Sequence, residues 1–311
     1  MDNRKVDISI VVPIFNEEEN VSFLHESITH AMKRIRESYE IIFVDDGSSD
    51  NTLNLLREIQ QNDCNTRIVK FRRNFGQSAA MAAGFELAIG DKIVAMDGDL
   101  QNDPDDIPKL LDKLAEGYDV VSGWRKNRKD KLLIRKVPSK MANKLICSVT
   151  KVYLHDTGCS LKAFQKEIVK RISIYGELHR FIPVLAKIEG AKITEVVVNH
   201  HPRKFGKSKY NLTRTFRVLM DLTSLNLFLK YLKNPLQFFS ALAFYSFLIP
   251  ALTGIWALVD VIKSDFQTTE VNLFLTLIFL LAVTIFQFLF FGLIAVLIVY
   301  TGKKKSILLM D

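Results

Sequence analysis

The sequence predicts an α/β fold in which a mostly parallel sheet carries helices on both faces, followed by two membrane-spanning helices. Strand-like and helix-like patterns alternate over residues 7–122, as they do in repeated βαβ units. Polar clusters follow three of those strands. Two runs near the C-terminus, 236–262 and 271–300, are almost free of charge, and each exceeds the roughly 20 residues that a helix needs to cross a bilayer.

The elements of the predicted sheet follow one another in regular order. Apolar, β-branched runs predict strands at 7–14, 40–44, 66–71, 91–96 and 118–122. Apolar residues at helical spacing predict helices at 19–37, 50–60, 77–89 and 104–116. Pro104 suits a first helical turn, and Gly90 and Gly117 are typical of helix ends. In such sheets, ligands bind beyond the carboxyl ends of the strands.

The three polar clusters all lie where a predicted strand ends. They occupy residues 13–17, 45–48 and 97–101, at the ends of the first, second and fourth strands. Taken alone, each cluster also fits an ordinary turn that caps the next helix. Three such clusters at one edge of a parallel sheet favour a binding edge, because chance rarely places all three there.

The third cluster carries the pattern of a metal site. In a strand, residues two apart point to the same side. Asp97 and Asp99 therefore aim two carboxylates at one point, and Gln101 adds a neutral oxygen. Such oxygens suit a hard cation that also binds substrate phosphates. We expect Mg²⁺ or Mn²⁺ at this position.

Charge predicts how the chain lies at a membrane. The connection 263–270 between the two apolar runs is nearly neutral, whereas lysines lie at 230 and 233 and at 303–305. The positive-inside rule then places the N-terminal domain and the C-terminal tail in the cytoplasm. We expect a cytoplasmic domain at 1–210, a juxtamembrane amphipathic segment at 211–234, the two helices at 235–302 and a basic tail at 303–311.

The net charge of +8 does not indicate nucleic acid. The basic runs at 125–151 and 203–217 flank amphipathic segments that lead to the apolar runs, so anionic membrane lipids are the expected partner. Solvated basic faces are the alternative. Three scattered cysteines, Cys64, Cys147 and Cys159, form no metal-binding pattern.

Several stretches together resemble a known family. They are Val11–Glu18, Val44–Asp50, Arg73–Gln77, Met96–Pro104 and Arg203–Tyr210. The chain is similar over roughly residues 6–230 to the family 2 glycosyltransferases, which have a GT-A fold. Within them it resembles the polyprenyl-phosphate hexosyltransferases, the group of dolichyl-phosphate mannose synthase and bactoprenol glucosyltransferase.

This resemblance implies roles for matching positions. The nucleotide-pocket residues would be Pro13, Phe15, Glu17, Asp45, Asp46 and Asp97, with Asp45 near the base. The metal ligands would be Asp97, Asp99 and Gln101. The residues that meet the acceptor phosphate or the sugar would be Arg125, Arg135, Ser139, Lys207, Ser208 and Lys209. Catalysis would involve Asp99, Arg203 at the diphosphate and Asp156 near the sugar.

The expected function is transfer of a hexose from a nucleotide sugar to polyprenyl phosphate at the cytoplasmic leaflet, with inversion. The resemblance favours glucose from UDP-glucose, then mannose from GDP-mannose, and a homo-oligomer is possible. A non-catalytic membrane adaptor is the alternative of another class, although an adaptor does not need a metal-binding set. A processive polysaccharide synthase is disfavoured, because the sequence lacks a Gln-x-x-Arg-Trp motif.

Overall fold

A computed structural model describes residues 5–126, 152–172, 174, 178–202, 235–263 and 268–307. The chain forms two compact units, Met1–Leu222 and Thr223–Asp311. The first contains a mixed sheet with helices, and the second contains two long helices.

Seven strands form the sheet within the described residues. They are β1 (Ile8–Ile14), β2 (Tyr39–Asp45), β3 (Thr66–Lys70), β4 (Lys92–Ala95), β5 (Val120–Trp124), β6 (Lys162–Gln165) and β7 (Ile193–Val197). Their order across the sheet is β3-β2-β1-β4-β6-β5-β7. All neighbours are parallel except β6, which runs antiparallel to β4 and β5. The predicted mostly parallel sheet is confirmed, and the reversed strand β6 and the edge strand β7 are additions to it.

Helices cover both faces of this sheet. They are α1 (Val21–Lys33), α2 (Thr52–Asn62), α3 (Gln77–Leu87), α4 (Ile107–Ala115), α5 (Lys166–Arg171) and α6 (Ile182–Ile188). Buried residues of α1, α2 and α4 belong to one apolar core, and those of α3, α5 and α6 to a second. All seven residues of β1 are buried, because this central strand contributes alternate side chains to both cores.

The sheet topology brings separate segments to one edge. Strands β1, β2 and β4 are parallel, and the register aligns Ile14 with Asp45. Strand β6 runs the opposite way, so its first residue, Lys162, lies opposite Ala95 and Ser122 near the ends of their strands. The chain before β6 therefore meets the chain after β5 at the edge where the polar clusters lie.

The C-terminal unit consists of α7 (Pro235–Lys263) and α8 (Thr268–Ile307). They pack closely at Gly292, where an added Cβ would lie 3.0 Å from Phe239 Cβ. Within the described residues, one segment, Leu275–Ile298, has the length and composition of a membrane span, and α7 contains a shorter apolar stretch, Pro235–Leu248. By length and composition, the described residues thus support one of the two predicted membrane spans. The lysines at 303–305 continue α8 as helix.

Candidate active site at the carboxyl edge of the sheet

The predicted metal motif lies on a loop rather than on a strand. Strand β4 ends at Ala95, and Leu100 has a φ of +58°, a left-handed conformation that costs a non-glycine residue about 1–3 kcal/mol. The backbone N–H of Gln101 donates to Asp99 Oδ1 (3.2 Å). The motif therefore lies beyond the regular strand, and strand alternation does not align Asp97, Asp99 and Gln101.

Asp97 is held by a residue at the start of α3. Gln77 Nε2 donates to Asp97 Oδ1 at 2.6 Å. Burial raises the pKa of Asp97, and the neighbouring Asp99 carboxylate raises it further. Two crowded carboxylates of this kind fit a divalent cation, whose charge would offset both effects.

The composition of the motif also fits a cation shared with a substrate. No group of three or more His, Cys, Asp or Glu side chains that could hold a metal ion is found within the residues that the structure describes. The predicted set has two carboxylates and one amide instead. Mg²⁺ characteristically uses one or two carboxylates and takes further oxygens from substrate phosphates.

The loops after β1 and β2 are joined by hydrogen bonds. Asn16 N donates to Ser48 Oγ (2.9 Å), and Glu17 N donates to Thr52 Oγ1 (2.9 Å). In return, Ser49 N donates to Asn16 Oδ1 (2.8 Å). These reciprocal bonds fix the segment that carries the predicted nucleotide residues Pro13, Phe15 and Glu17 against the turn that follows Asp45.

Asp45 and Asp46 have different surroundings although they are adjacent. Asp45 is fully buried; its Oδ1 accepts from Ser48 N (3.1 Å), and its Oδ2 has no hydrogen-bond partner within the described part of the chain. A buried carboxylate oxygen without a partner is costly, and it suits the N–H group of a ligand. Asp46 accepts instead from the backbone N–H groups of Phe75 (2.7 Å) and Gly76 (2.9 Å), so it holds the loop that precedes α3.

Arg125 and Asp156 form a buried two-point ion pair. Arg125 Nε donates to Asp156 Oδ2 (2.6 Å), and its NH2 group donates to Oδ1 (3.0 Å). The side chains are only 11% and 12% exposed. Burial alone would lower the pKa of Arg125, but the bonds to Asp156 raise it. The preceding residues form a second contact, since the rings of Trp124 and His155 stack with centroids 4.2 Å apart.

Three further groups at this edge were not predicted from the sequence. Lys162 is buried; its Nζ donates to the carbonyl of Cys159, and burial lowers its pKa. Burial raises the pKa of Cys159 to about 11, so this thiol stays protonated at neutral pH. Asn102 Nδ2 donates to Ser160 Oγ at 2.7 Å. The partner of Asn102 is 58 residues away in the sequence, and the burial of Lys162 and Cys159 depends on the packing of the sheet, so neither left a local signal.

The structure places many of the predicted site residues at or next to this edge. They are Pro13, Phe15, Glu17, Asp45, Asp46, Asp97, Asp99, Gln101, Arg125 and Asp156. Six other predicted residues lie outside the described residues: Arg135, Ser139, Arg203, Lys207, Ser208 and Lys209. The roles assigned to both groups stay predictions.

Comparison with known proteins decides the family. Residues 9–173 match the glycosyl transferase family 2. The chain belongs to this family. The prediction of a glycosyltransferase is therefore confirmed, and the matched residues include both the Asp45 turn and the Asp97–Gln101 motif.

Two relatives of this glycosyltransferase have close sequence similarity. It is 48% identical over 243 residues to a dodecaprenyl-phosphate galacturonate synthase of Rhizobium johnstonii, covering 77% of this chain and 72% of the relative. It is 43% identical over 217 residues to an undecaprenyl-phosphate 4-deoxy-4-formamido-L-arabinose transferase of Yersinia pestis, covering 69% and 66% of the two chains.

Solved structures share the fold of this glycosyltransferase. Glucosyl-3-phosphoglycerate synthase of Mycobacterium tuberculosis, solved with Mn²⁺, uridine diphosphate and phosphoglyceric acid, superposes with a TM-score of 0.56 at 18% identity, covering 71% of this chain and 78% of that one. Mannosyl-3-phosphoglycerate synthase of Rubrobacter xylanophilus gives 0.55 at 14% identity, covering 71% and 74%. At these identities the likeness concerns the fold, and it agrees with the predicted GT-A-like α/β architecture.

Proposed function

We propose that this glycosyltransferase transfers a sugar from a nucleoside-diphosphate sugar to polyprenyl phosphate at the cytoplasmic face of a membrane. The observation that carries the proposal is the convergence of three groups at one edge of the sheet. Asp45 offers a buried, unpartnered acceptor, Asp97 and Asp99 form an acidic pair, and Arg125 is paired with Asp156. The names of both close relatives support the acceptor class.

Donor binding follows from the two acidic groups. Asp45 would accept an N–H of the nucleobase, and the loops joined at Asn16 and Ser48 would hold the ribose end of the donor. Asp97, Asp99 and Gln101 would hold Mg²⁺ or Mn²⁺, which when bound stabilises the negative charge that develops on the leaving diphosphate. Arg203 is proposed to act on the same charge.

The acceptor needs little activation by the protein. A phosphate monoester has a second pKa of about 6, so it is already a nucleophilic anion at neutral pH. Asp156 accepts two hydrogen bonds from Arg125, an arrangement that suits orientation of the guanidinium better than removal of a proton. Arg125 would then face the acceptor phosphate or the sugar, with Arg135, Ser139, Lys207, Ser208 and Lys209 as further proposed contacts.

The identity of the transferred sugar is the next question, and glucose and galacturonate are the two candidates to compare first. The sequence resemblance favours glucose from UDP-glucose, whereas the relative that is 48% identical is named for galacturonate. GDP-mannose is the next donor to include. We propose a single displacement with inversion for whichever sugar is used.

The proposed membrane arrangement has two spans. Helix α8 contains the segment Leu275–Ile298, and α7 is 29 residues long. We propose that both cross the bilayer, that residues 1–210 form the cytoplasmic catalytic domain, and that 211–234 lie along the membrane surface.

A donor panel tests this function. The purified full chain in detergent would be incubated with polyprenyl phosphate, Mg²⁺ or Mn²⁺ and each of UDP-glucose, UDP-galacturonate and GDP-mannose, and the lipid product would be read by mass spectrometry. We expect one glycosyl-phosphoryl-polyprenol product. Nucleotide binding without transfer from any donor would favour the non-catalytic adaptor instead.

A further inference from the structure

The segment Phe75–Ser78 connects three parts of the molecule. The N–H groups of its first two residues donate to the Asp46 carboxylate. Gln77 donates to Asp97, 20 residues further along the chain, and Ser78 Oγ lies 2.7 Å from Nδ1 of His179. One short segment thus contacts the turn after β2 at Asp46, the loop after β4 at Asp97, and the buried side chain of His179.

The contact between Gln77 and Asp97 has one chemical interpretation. An ionised carboxylate can only accept hydrogen bonds, so the amide nitrogen of Gln77 must face it. The separation of 2.6 Å is typical of a strong bond to a charged acceptor. Carboxylates that bind metals are commonly fixed by such outer partners, and losing one typically lowers metal affinity about 10- to 100-fold.

Gln77 is itself held by its neighbour. Ser78 and His179 are 3% and 8% exposed, and His179 N also donates to Ser78 Oγ (3.3 Å). Because Ser78 lies in the first turn of α3, this buried contact anchors the turn that presents Gln77.

We propose that Gln77 is a positioning residue that orients the Asp97 carboxylate for a divalent cation, and that the contact of Ser78 with His179 keeps Gln77 in place. The inference rests on the proposed function, because it takes Asp97 as a ligand of the cation.

Binding of Mn²⁺ tests the inference without the transfer reaction. The full chain in detergent with UDP would be titrated with Mn²⁺ and followed by electron paramagnetic resonance. We expect Gln77→Ala to weaken Mn²⁺ binding about 10- to 100-fold with an unchanged thermal midpoint, and excess Mn²⁺ to restore kcat. Gln60→Ala is the matched control. Gln60 Nε2 donates to Thr66 O (3.4 Å) at the opposite edge, and its loss should leave Mn²⁺ affinity unchanged.

A double-mutant cycle tests the role of Ser78. Ser78→Ala should weaken Mn²⁺ binding less than Gln77→Ala, and the double variant should bind like Gln77→Ala, because one residue acts through the other. Wild-type affinity in Gln77→Ala, additive losses, or a kcat loss that Mn²⁺ does not restore would each overturn the inference. If the wild type binds UDP but no Mn²⁺ at all, the metal role in the proposed function fails together with it.

Discussion

At the scale of single residues, the candidate active site contains three features that are unfavourable in the free protein. Burial and the neighbouring Asp99 carboxylate raise the pKa of Asp97, the left-handed Leu100 carries backbone strain, and Asp45 keeps a buried oxygen without a partner in the described structure. Each feature lowers the stability of the free protein. Under the proposed function, a bound cation would offset the repulsion at Asp97 and Asp99, and a nucleobase N–H group would pair with Asp45.

Removing one of these charges should separate stability from activity. We expect Asp97→Asn or Asp99→Asn to lower turnover by about 100-fold or more, because each removes a charge from the proposed metal site. The thermal midpoint should stay the same or rise, because repulsion between the two carboxylates is lost. Turnover assays and thermal unfolding measure the two effects.

The matched control is Asp91→Asn, an exposed carboxylate whose side chain is 72% accessible. It should change neither quantity. A chelator should reproduce the loss in the wild type, and full activity in excess EDTA would exclude the metal role.

Asp63 is a carboxylate whose protonation makes the free energy of unfolding depend on pH. Burial would raise its pKa, but hydrogen bonds from His25, Asn65 N and Thr66 outweigh this and lower it. Since the folded pKa lies below the unfolded value of about 3.9, Asp63 stabilises the fold above that pH, and this contribution is lost as the pH falls through the folded pKa.

We therefore expect Asp63→Asn to lower the thermal midpoint at pH 6 and to reduce the difference between the midpoints at pH 6 and pH 3. Thermal unfolding across this range provides the measurement. An unchanged acid dependence would show that other carboxylates dominate it.

Residue-scale positions were predictable where the pattern is local. Asp45 ends β2, and Asp97 and Asp99 follow β4 closely, so the rule for parallel sheets places them at one edge. Gln77 and Lys162 gave no such signal. The partner of Gln77 is Asp97, 20 residues further along the chain, and Lys162 is buried by the pairing of β6 with its neighbours. Tertiary features of this kind cannot be read from periodicity.

At the scale of elements, the first five strands and four helices follow from alternation, whereas β6 does not. It has four residues, and its position depends on pairing with β4 and β5 on either side. The predicted helix at 104–116 becomes a 3₁₀ turn at Pro104–Asp106 followed by α4. Asp103 accepts from Asp105 N (3.1 Å), and this local cap begins the turn.

The turn after β2 should be sensitive to one added methyl group. Gly47 has a φ of +72°, and a Cβ there would lie 2.5 Å from the carbonyl carbon of Arg73. Gly47→Ala must therefore displace the loop that Asp46 holds. We expect weaker binding of UDP, by about tenfold or more, and a lower thermal midpoint, since strain of this kind costs about 1–3 kcal/mol.

Gly117→Ala is the matched control, because it adds backbone strain without displacing the loop that contains Arg73. Gly117 has a φ of +95°, but no atom lies within 4 Å of an added Cβ. It should lower the thermal midpoint and leave nucleotide affinity unchanged. Equal loss of affinity in both variants would contradict a specific role for the Gly47 turn. Calorimetric titration with UDP distinguishes these outcomes.

At the scale of the whole molecule, the charge distribution predicts the topology. The lysines flank the outer ends of the apolar helices, and the connection between them is short and nearly neutral. With two spans, a reporter fused after Asp311 should be cytoplasmic, and one inserted near Thr268 should be external. A tail protected from protease in inside-out vesicles would reverse this orientation. Two reporters on the same side would instead favour one span or none.

The two contacts at the end of β5 have a consequence for the length of the chain between them. The ring stack of Trp124 with His155 and the ion pair of Arg125 with Asp156 join the chain that follows β5 to the chain that precedes β6. When both ends of a segment are fixed, doubling its length costs only about 0.6 kcal/mol in closure entropy. A change in the length of the segment between these two contacts should therefore have little effect on the stability of the sheet. If the proposed function holds, exchange of the residues between these two contacts for those of another family member would test whether they determine the choice of acceptor.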